Sequence, residues 1–301
     1  MNKLLIVGTV AFDSIETPDD KVEKILGGSA SHASISASLF NIKTAIVSIV
    51  GWDFPEKYFE IFNKKGIDTS ALIIEQNEKT FFWAGKYYDN MNIRDTIKTE
   101  VNCLANFDPK IKANFSNPNI ILLGNLDPII QLKVMKQIKT PATLTILDTM
   151  NFWMDNTMEN LKKIISKVDL ICINDEEVIQ LTGLKSLIDG ARKILTMGPE
   201  FIIIKKGSTG SMLISDSNIF NCPAFPVKKV KDPTGAGDSF AGGLAGYLTK
   251  ADSASFDEIK QALVYATAAA SFTVEGFGIS VIDNINFRDL LNRVDFINKL
   301  L

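Results

Sequence analysis

Asp232-Pro233-Thr234-Gly235-Ala236-Gly237-Asp238-Ser239-Phe240 places small residues between carboxylates and runs into an apolar, small-residue stretch ending near Leu248. A helix that begins this way leaves its first backbone N–H groups without partners or bulky neighbours. Those groups and the positive end of the helix dipole attract an anion, typically a phosphate. Asp238 is then the odd residue, a carboxylate where the anion should sit. It either caps the helix or takes a proton from a nucleophile attacking the phosphate, and the turn alone leaves both open.

Other residues that could do chemistry are few. His32 is the single histidine, which excludes multi-histidine metal sites and moves the chemistry towards carboxylates. Gly27-Gly28-Ser29-Ala30-Ser31-His32 opens a second small-residue helix, whose interleaved serines and alanines predict close packing against a neighbour. Asp13, Asn125, Asp127, Asp148, Asn151, Asn174 and Glu177 each fall just beyond an apolar run, where the exit of a buried strand is expected. Ligands of open α/β sheets bind at such exits, although each residue could equally be loop or cap, and Asn174 is a good N-cap candidate. The chain has no Gly-x4-Gly-Lys-Ser/Thr loop, and Phe240 stands where a dinucleotide fingerprint needs its third glycine, so a nicotinamide enzyme is disfavoured.

The elements that must position these groups alternate. Strands are expected at 3–8, 45–51, 120–123, 144–147, 170–173, 201–205, 212–214 and 225–231. Helices are expected from 28 to about 40 and at 55–65, 129–138, 158–166, 176–182, 187–196, 236–249, 256–274 and 287–300. This pattern predicts an α/β fold with a mostly parallel sheet covered on both faces. Residues 10–24 are polar and irregular. From Leu72 to about Val101 the β-branched and aromatic runs Leu72-Ile73-Ile74, Thr80 to Tyr88 and Thr96 to Val101 lack an intervening helix. They read as a small antiparallel sheet beside the cleft, a candidate lid. The expected organisation is one domain, 1–301, with lid segments at about 10–26 and 72–103.

Composition narrows the partners. A net charge of −3 argues against binding nucleic acid through phosphate neutralisation, and no run reaches the length of a membrane span. Cys103, Cys172 and Cys222 form neither a disulfide framework nor zinc spacing, which predicts a reducing, cytoplasmic compartment.

Taken in order, the motifs resemble the ribokinase-like (PfkB-type) carbohydrate kinases. Asp232 to Phe240 is similar to that family's C-terminal signature and Gly27-Gly28 to its N-terminal one. Asn174-Asp175-Glu176-Glu177 is similar to its Asn-x-x-Glu element, and Lys206-Gly207-x-x-Gly210 to the turn before its nucleotide site. The resemblance implies an ATP-dependent phosphotransferase acting on an alcohol group of a small sugar-like substrate. Asp238 would be the base, and Gly235, Ala236 and Gly237 would stabilise the transferring group. A helix start should depress the pKa of Asp238, and phosphoryl transfer tolerates so weak a base. Asp13, Gly27, Gly28 and His32 are the candidate substrate contacts. Asn174, Lys205, Ser208, Gly210 and Thr267 are the candidate nucleotide contacts. Glu177 with Asn174 would hold Mg2+ through water, while Asp232, Thr234 and Gly278 resemble a monovalent-cation loop that K+ occupies in many relatives. Homodimerisation through the lid is a further expectation. Ribose-specific relatives carry a lysine and an asparagine where Ser29 and His32 stand, which makes ribose itself a poor candidate. Phe81, Phe82, Trp83, Tyr87 and Tyr88 make the lid aromatic, so a nucleoside kinase is the alternative. A non-catalytic ligand-binding protein that kept the fold is the alternative of another class.

Overall fold

The computed structural model describes residues 2–251 and 253–301. β1 (Lys3–Val7) leads into the hairpin β2 (Ala11–Glu16) and β3 (Lys21–Gly27), followed by α1 (Ser29–Ser38), β4 (Lys43–Gly51), α2 (Glu56–Lys64) and β5 (Ile67–Glu75). A second hairpin comprises β6 (Phe82–Tyr87) and β7 (Arg94–Glu100). Alternation then resumes with β8 (Ile120–Leu123), α3 (Pro128–Met135), β9 (Leu144–Leu147), α4 (Asn151–Asn156), α5 (Met158–Ile165), β10 (Leu170–Asn174), α6 (Asp175–Thr182), α7 (Leu187–Leu195) and β11 (Phe201–Lys205). The hairpin β12 (Ser211–Ile214) and β13 (Ile219–Cys222) precedes α8 (Ala236–Lys250), α9 (Phe256–Thr273) and α10 (Phe287–Asn298).

The large sheet has nine strands in the order β13-β12-β11-β10-β9-β8-β1-β4-β5, parallel from β11 to β5 and antiparallel at β12 and β13. Its strands alternate side chains between two apolar layers: Leu4 and Ile6 face α1, α8 and α9, while Leu5 and Val7 face α3, α5 and α7. Burial on both faces is what makes these strands read as continuous apolar runs. The small sheet has the order β3-β2-β6-β7 and is mixed, because β2 and β6 pair in parallel.

The serine and alanine face of α1 meets α8 at glycines. A Cβ on Gly242 would stand 2.1 Å from the Ala33 carbonyl oxygen, and one on Gly246 would stand 2.5 Å from the Phe40 ring. Ser36 Oγ donates to the Ser239 carbonyl at 2.7 Å. This close approach brings the starts of the two helices together.

Four expectations are corrected. Leu72-Ile73-Ile74 belongs to β5, paired in parallel with β4 across the α2 crossover, and so lies in the large sheet. An apolar run that short fits either sheet, and only the helix before it settles the partner. The stretch 10–24, expected to be irregular, supplies much of the β2–β3 hairpin. The small sheet is mixed rather than antiparallel. The stretch 225–231 forms no strand, since Pro226 has no N–H to give a ladder, and Phe225 packs edge-on against Phe296 instead.

Candidate active site

The carboxyl ends of β9, β10 and β11 meet the starts of α1, α6 and α8 at one edge of the large sheet, with the small sheet above. Among the α-helices of the described residues, α1 and α8 alone begin on a positive φ, at Gly28 (93°) and Gly235 (77°), and neither has a side-chain cap. On α1 the Ser29 and Ala30 N–H groups are taken by the Thr9 hydroxyl and carbonyl at 3.0 and 2.9 Å, and on α8 the Ala236 N–H meets the Pro233 carbonyl at 3.2 Å. The Gly235 and Gly237 N–H groups have no partner among the described residues, as an anion site requires.

Asp13 lies within β2 on the small sheet, and glycine makes its position possible. A Cβ on Gly27 would fall 2.0 Å from its Oδ2. Burial, reinforced by Asp232 and Asp238, pushes the Asp13 carboxyl up to about 7, against the Gly28 N–H, which pulls it down. Asp238 sits in the first turn of α8, half-buried. Burial raises its pKa, and Lys205 and then Arg94 pull it back. Desolvation therefore outweighs the depression expected from the helix start, and Asp238 is a better base than its position suggests.

Lys205 closes β11 and forms a buried pair with Asp148, its Nζ lying 3.0 and 3.1 Å from the two carboxylate oxygens. Burial alone would lower the lysine, but Asp148, Cys172 and Glu177 hold it above its ordinary value. Burial lifts Asp148 to about 6 despite the lysine. Asn174 and Glu177 form a reciprocal cap on α6: Asn174 Oδ1 accepts from the Glu177 N–H and Glu177 Oε2 from the Asn174 N–H, both at 2.8 Å. Glu177 Oε1 has no partner among the described residues, and burial moves that carboxyl to about 7. Ser208 is exposed on the turn after β11, while Gly210 (φ 92°) lets that turn pass β13, where a Cβ would lie 2.1 Å from the Cys222 carbonyl oxygen.

Two candidates fall outside the open cleft. Thr267 is buried on α9, its hydroxyl donating to the Leu263 carbonyl at 2.9 Å and lying 3.5 Å from Cys222 Sγ. His32 is 1 % exposed, and its ring packs behind Gly235, where a Cβ would meet it at 2.3 to 2.4 Å. Neither ring nitrogen has a partner among the described residues, and burial lowers its pKa to about 4. The imidazole is a neutral wall behind the glycine turn.

The cation-loop residues do converge. Asp232 is fully buried, accepting from the Thr234 N–H at 2.9 Å and the Gly278 N–H at 3.5 Å. Burial raises its pKa, and no lysine or arginine is among the groups acting on it. Thr234 Oγ1 lies 3.0 Å from the Tyr87 hydroxyl, which ties the small sheet to this loop. Among the described residues no cluster of three or more His, Cys, Asp or Glu is arranged around one point.

The small sheet also supplies groups that sequence reasoning missed. Arg94 pairs with Tyr87 in register, lies 5.5 Å from the Trp83 ring and acts on Asp13, Glu177 and Asp238. It opens β7 within a polar run of sequence, with no spacing to mark it. Asp148 was visible as a strand exit, but its lysine partner is 57 residues away. Asp13 and Trp83 are register partners, so both side chains stand on one face of the small sheet. The indole lies by Gly85, where a Cβ would touch it at 2.1 Å, with the Arg94 guanidinium over its ring, and Nε1 donates to Thr96 Oγ1 at 3.3 Å.

Proteins of known fold and activity resemble the chain along most of its length. The chain is 28 % identical over 251 residues to a cytidine kinase of Thermococcus kodakarensis, covering 82 % of this chain and 89 % of that one. A nucleoside kinase structure from Methanocaldococcus jannaschii superposes with a TM-score of 0.79 at 22 % identity, covering 98 % and 99 % of the two chains. Arabidopsis thaliana ribokinase complexed with ribose and ATP gives 0.78 at 20 % identity over 98 % and 100 %. These structures share the fold. The model of the pfkB family carbohydrate kinases matches residues 1–284, and the chain belongs to that family of kinases.

Proposed function

We propose that this chain transfers the γ-phosphoryl group of ATP to a hydroxyl of a nucleoside, with the small sheet as lid and residues 1–301 as one catalytic unit. The observation that carries the nucleoside reading is the pairing of Asp13 with Trp83 on one face of the small sheet. Asp13, with Gly27 and Gly28, takes sugar hydroxyls, and the flat indole beside it takes a base by stacking. The cytidine kinase relative supports the same choice. Asp238 accepts the proton of the attacking hydroxyl as its oxygen bonds to the γ-phosphorus. The bond from that phosphorus to the β,γ-bridging oxygen breaks, and ADP leaves with the electron pair. The N–H groups of Gly235, Ala236 and Gly237 stabilise the transferring oxygens, that of Ala236 leaving the Pro233 carbonyl it meets at 3.2 Å. Asn174, Lys205, Ser208 and the Gly210 turn face the nucleotide. Thr267 contributes by shaping the wall behind it, as His32 does behind Gly235.

Hard oxygen donors suit Mg2+, which keeps most of its water and is carried chiefly by nucleotide phosphates. The free Glu177 Oε1 and the Asn174 side chain would hold its hydration shell, and the ion would neutralise phosphate charge. Asp232 is a buried carboxylate with no cationic side chain acting on it, an environment that fits a monovalent ion such as K+ at the Asp232, Thr234 and Gly278 loop. No helix among the described residues is long and apolar enough to cross a membrane. Three buried free thiols favour a cytoplasmic setting. β7, at the edge of the small sheet with Ile97 exposed, offers a surface for a homodimer.

A screen of nucleosides and free sugars with ATP and Mg2+ tests the proposal. Turnover of a nucleoside well above ribose or fructose is expected, and Trp83→Ala should raise its KM by roughly 10-fold. Turnover confined to free sugars, or an unchanged KM, would move the acceptor assignment to a sugar. No turnover at all would return the chain to ligand binding.

A further inference from the structure

The Lys205–Asp148 pair calls for a use beyond holding strands together. Lys205 ends β11, Asp148 follows β9, and the strand between them ends at Asn174, the register partner of Lys205. The pair therefore bridges the carboxyl end of β10, with its side chains 17 % and 7 % exposed. Taking two charges out of water is costly, and apolar residues of similar volume often hold a core as well or better. Stability alone is a weak reason for such a pair.

Its position supplies the better one. A Cβ on Gly237 would stand 3.2 Å from Lys205 Nζ, so the ammonium lies against the uncapped first turn of α8, one residue from Asp238. An ammonium has three N–H donors, and among the described residues its only hydrogen-bond partner is the Asp148 carboxylate. An anion seated on the α8 turn would meet the remaining donor. The chain has no Walker-type lysine to serve this purpose. Resting on the kinase reading, we propose that Lys205 is a catalytic residue that binds a γ-phosphate oxygen of ATP through transfer, and that Asp148 is the positioning residue holding its ammonium against the α8 turn. Glycine at position 237 leaves the room the ammonium and the phosphate share.

The test measures ATP and ADP affinities by calorimetry with Mg2+, and kcat with the best acceptor, on the full chain. Lys205→Met should lose roughly 10²-fold in kcat, the usual effect of removing one donor to a developing charge. It should also lose affinity for ATP while ADP affinity stays within about 3-fold, a split that a merely structural lysine would not produce. Because Lys205→Met leaves Asp148 buried without its partner, Lys205→Met/Asp148→Leu repeats the test with the charge removed, and the same split is expected. Asp148→Asn should keep the ATP-to-ADP ratio and lose less kcat than Lys205→Met. Equal losses of ATP and ADP affinity in the double variant would overturn the γ-phosphate contact, and a larger loss from Asp148→Asn than from Lys205→Met would overturn the positioning role. Should the wild type phosphorylate nothing, the kinase reading fails, whereas the ATP-to-ADP ratio still decides whether Lys205 meets a γ-phosphate.

Discussion

α10 and α8 begin in opposite ways. On α10 the Asn286 Oδ1 accepts from the N–H groups of Arg288 and Asp289 at 2.8 and 3.3 Å, and Asp289 Oδ2 accepts from the Asn286 N–H at 2.9 Å. α8 begins on Gly235 with no side-chain cap at all. One start is closed by its own side chains and serves stability, while the other keeps the Gly235 and Gly237 donors open and needs a ligand to satisfy them. α6 stands between the two, since Asn174 and Glu177 close its cap yet leave Glu177 Oε1 free. An open start alone is ordinary. An open start on a left-handed glycine, beside a carboxylate and a buried lysine, is chemistry.

Asp238→Asn presses hardest on the contrast. Asparagine caps a helix about as well as aspartate, so if Asp238 only capped α8, activity would survive the change. The expected outcome is a fall in kcat of about 10³-fold, with ADP affinity and melting temperature little changed. Steady-state kinetics beside thermal unfolding reads both.

Gly235→Ala comes next. The new methyl would enter the His32 ring at 2.3 to 2.4 Å on a backbone with φ 77°, so the turn must move. A displacement near 1 Å at a transfer site costs about 10²-fold in rate. Gly183→Ala is the control, because Gly183 closes α6 at φ 72° with nothing within 4 Å. It should lose only ~1 kcal/mol of stability and no activity. Equal kinetic effects at the two glycines would break the distinction between a left-handed turn that ends a helix and one that binds.

Asp13→Asn measures what the open site costs the fold. From the unfolded value of 3.8 to the folded value of about 7, the folded chain keeps a proton that the unfolded chain has lost. Stability therefore falls as pH rises through that window and levels off above it. The full shift is worth ~4 kcal/mol as an upper bound. Asn, which has no charge to bury, should gain on the order of 2 kcal/mol over the wild type at pH 8 and almost nothing at pH 4, as read from urea midpoints. Acceptor affinity should fall at the same time. A stability gap that does not grow with pH would show that Asp13 ionises freely.

The sequence made the large sheet legible because both its faces are buried, so that β8 and the first four residues of β11 appear as uninterrupted apolar runs. It made the α8 turn legible because the glycines and the acid are neighbours in the chain. The site residues that pair across the fold were hidden. Lys205 and Asp148 meet only because β9 and β11 flank β10, and Arg94 reaches the acids only through the register of β6 and β7. The sign of the Asp238 shift was hidden too, since the helix start is local but the desolvation that outweighs it comes from burial in the folded chain. The orientation of Thr267 was hidden for a related reason, because a polar residue on a helix can turn its hydroxyl back to the carbonyl four residues earlier.

The smallest change sharpens the other side of the comparison. Asn286→Ala removes the acceptor that serves two N–H groups at the start of α10 and leaves Asp289 with half of a reciprocal cap. A loss of ~1 kcal/mol is expected, seen as a lower urea midpoint with an unchanged slope. kcat and both KM values should stay as they are, because α10 contributes no group to the cleft. If activity fell along with stability, a closed helix start far from the chemistry would matter as much as an open one beside it, and the contrast between α10 and α8 would lose its meaning. If only stability falls, the cap that α8 lacks has a measured worth of about that size. The open turn of Gly235 then forgoes about 1 kcal/mol of folding stability to keep its N–H groups free for a phosphate.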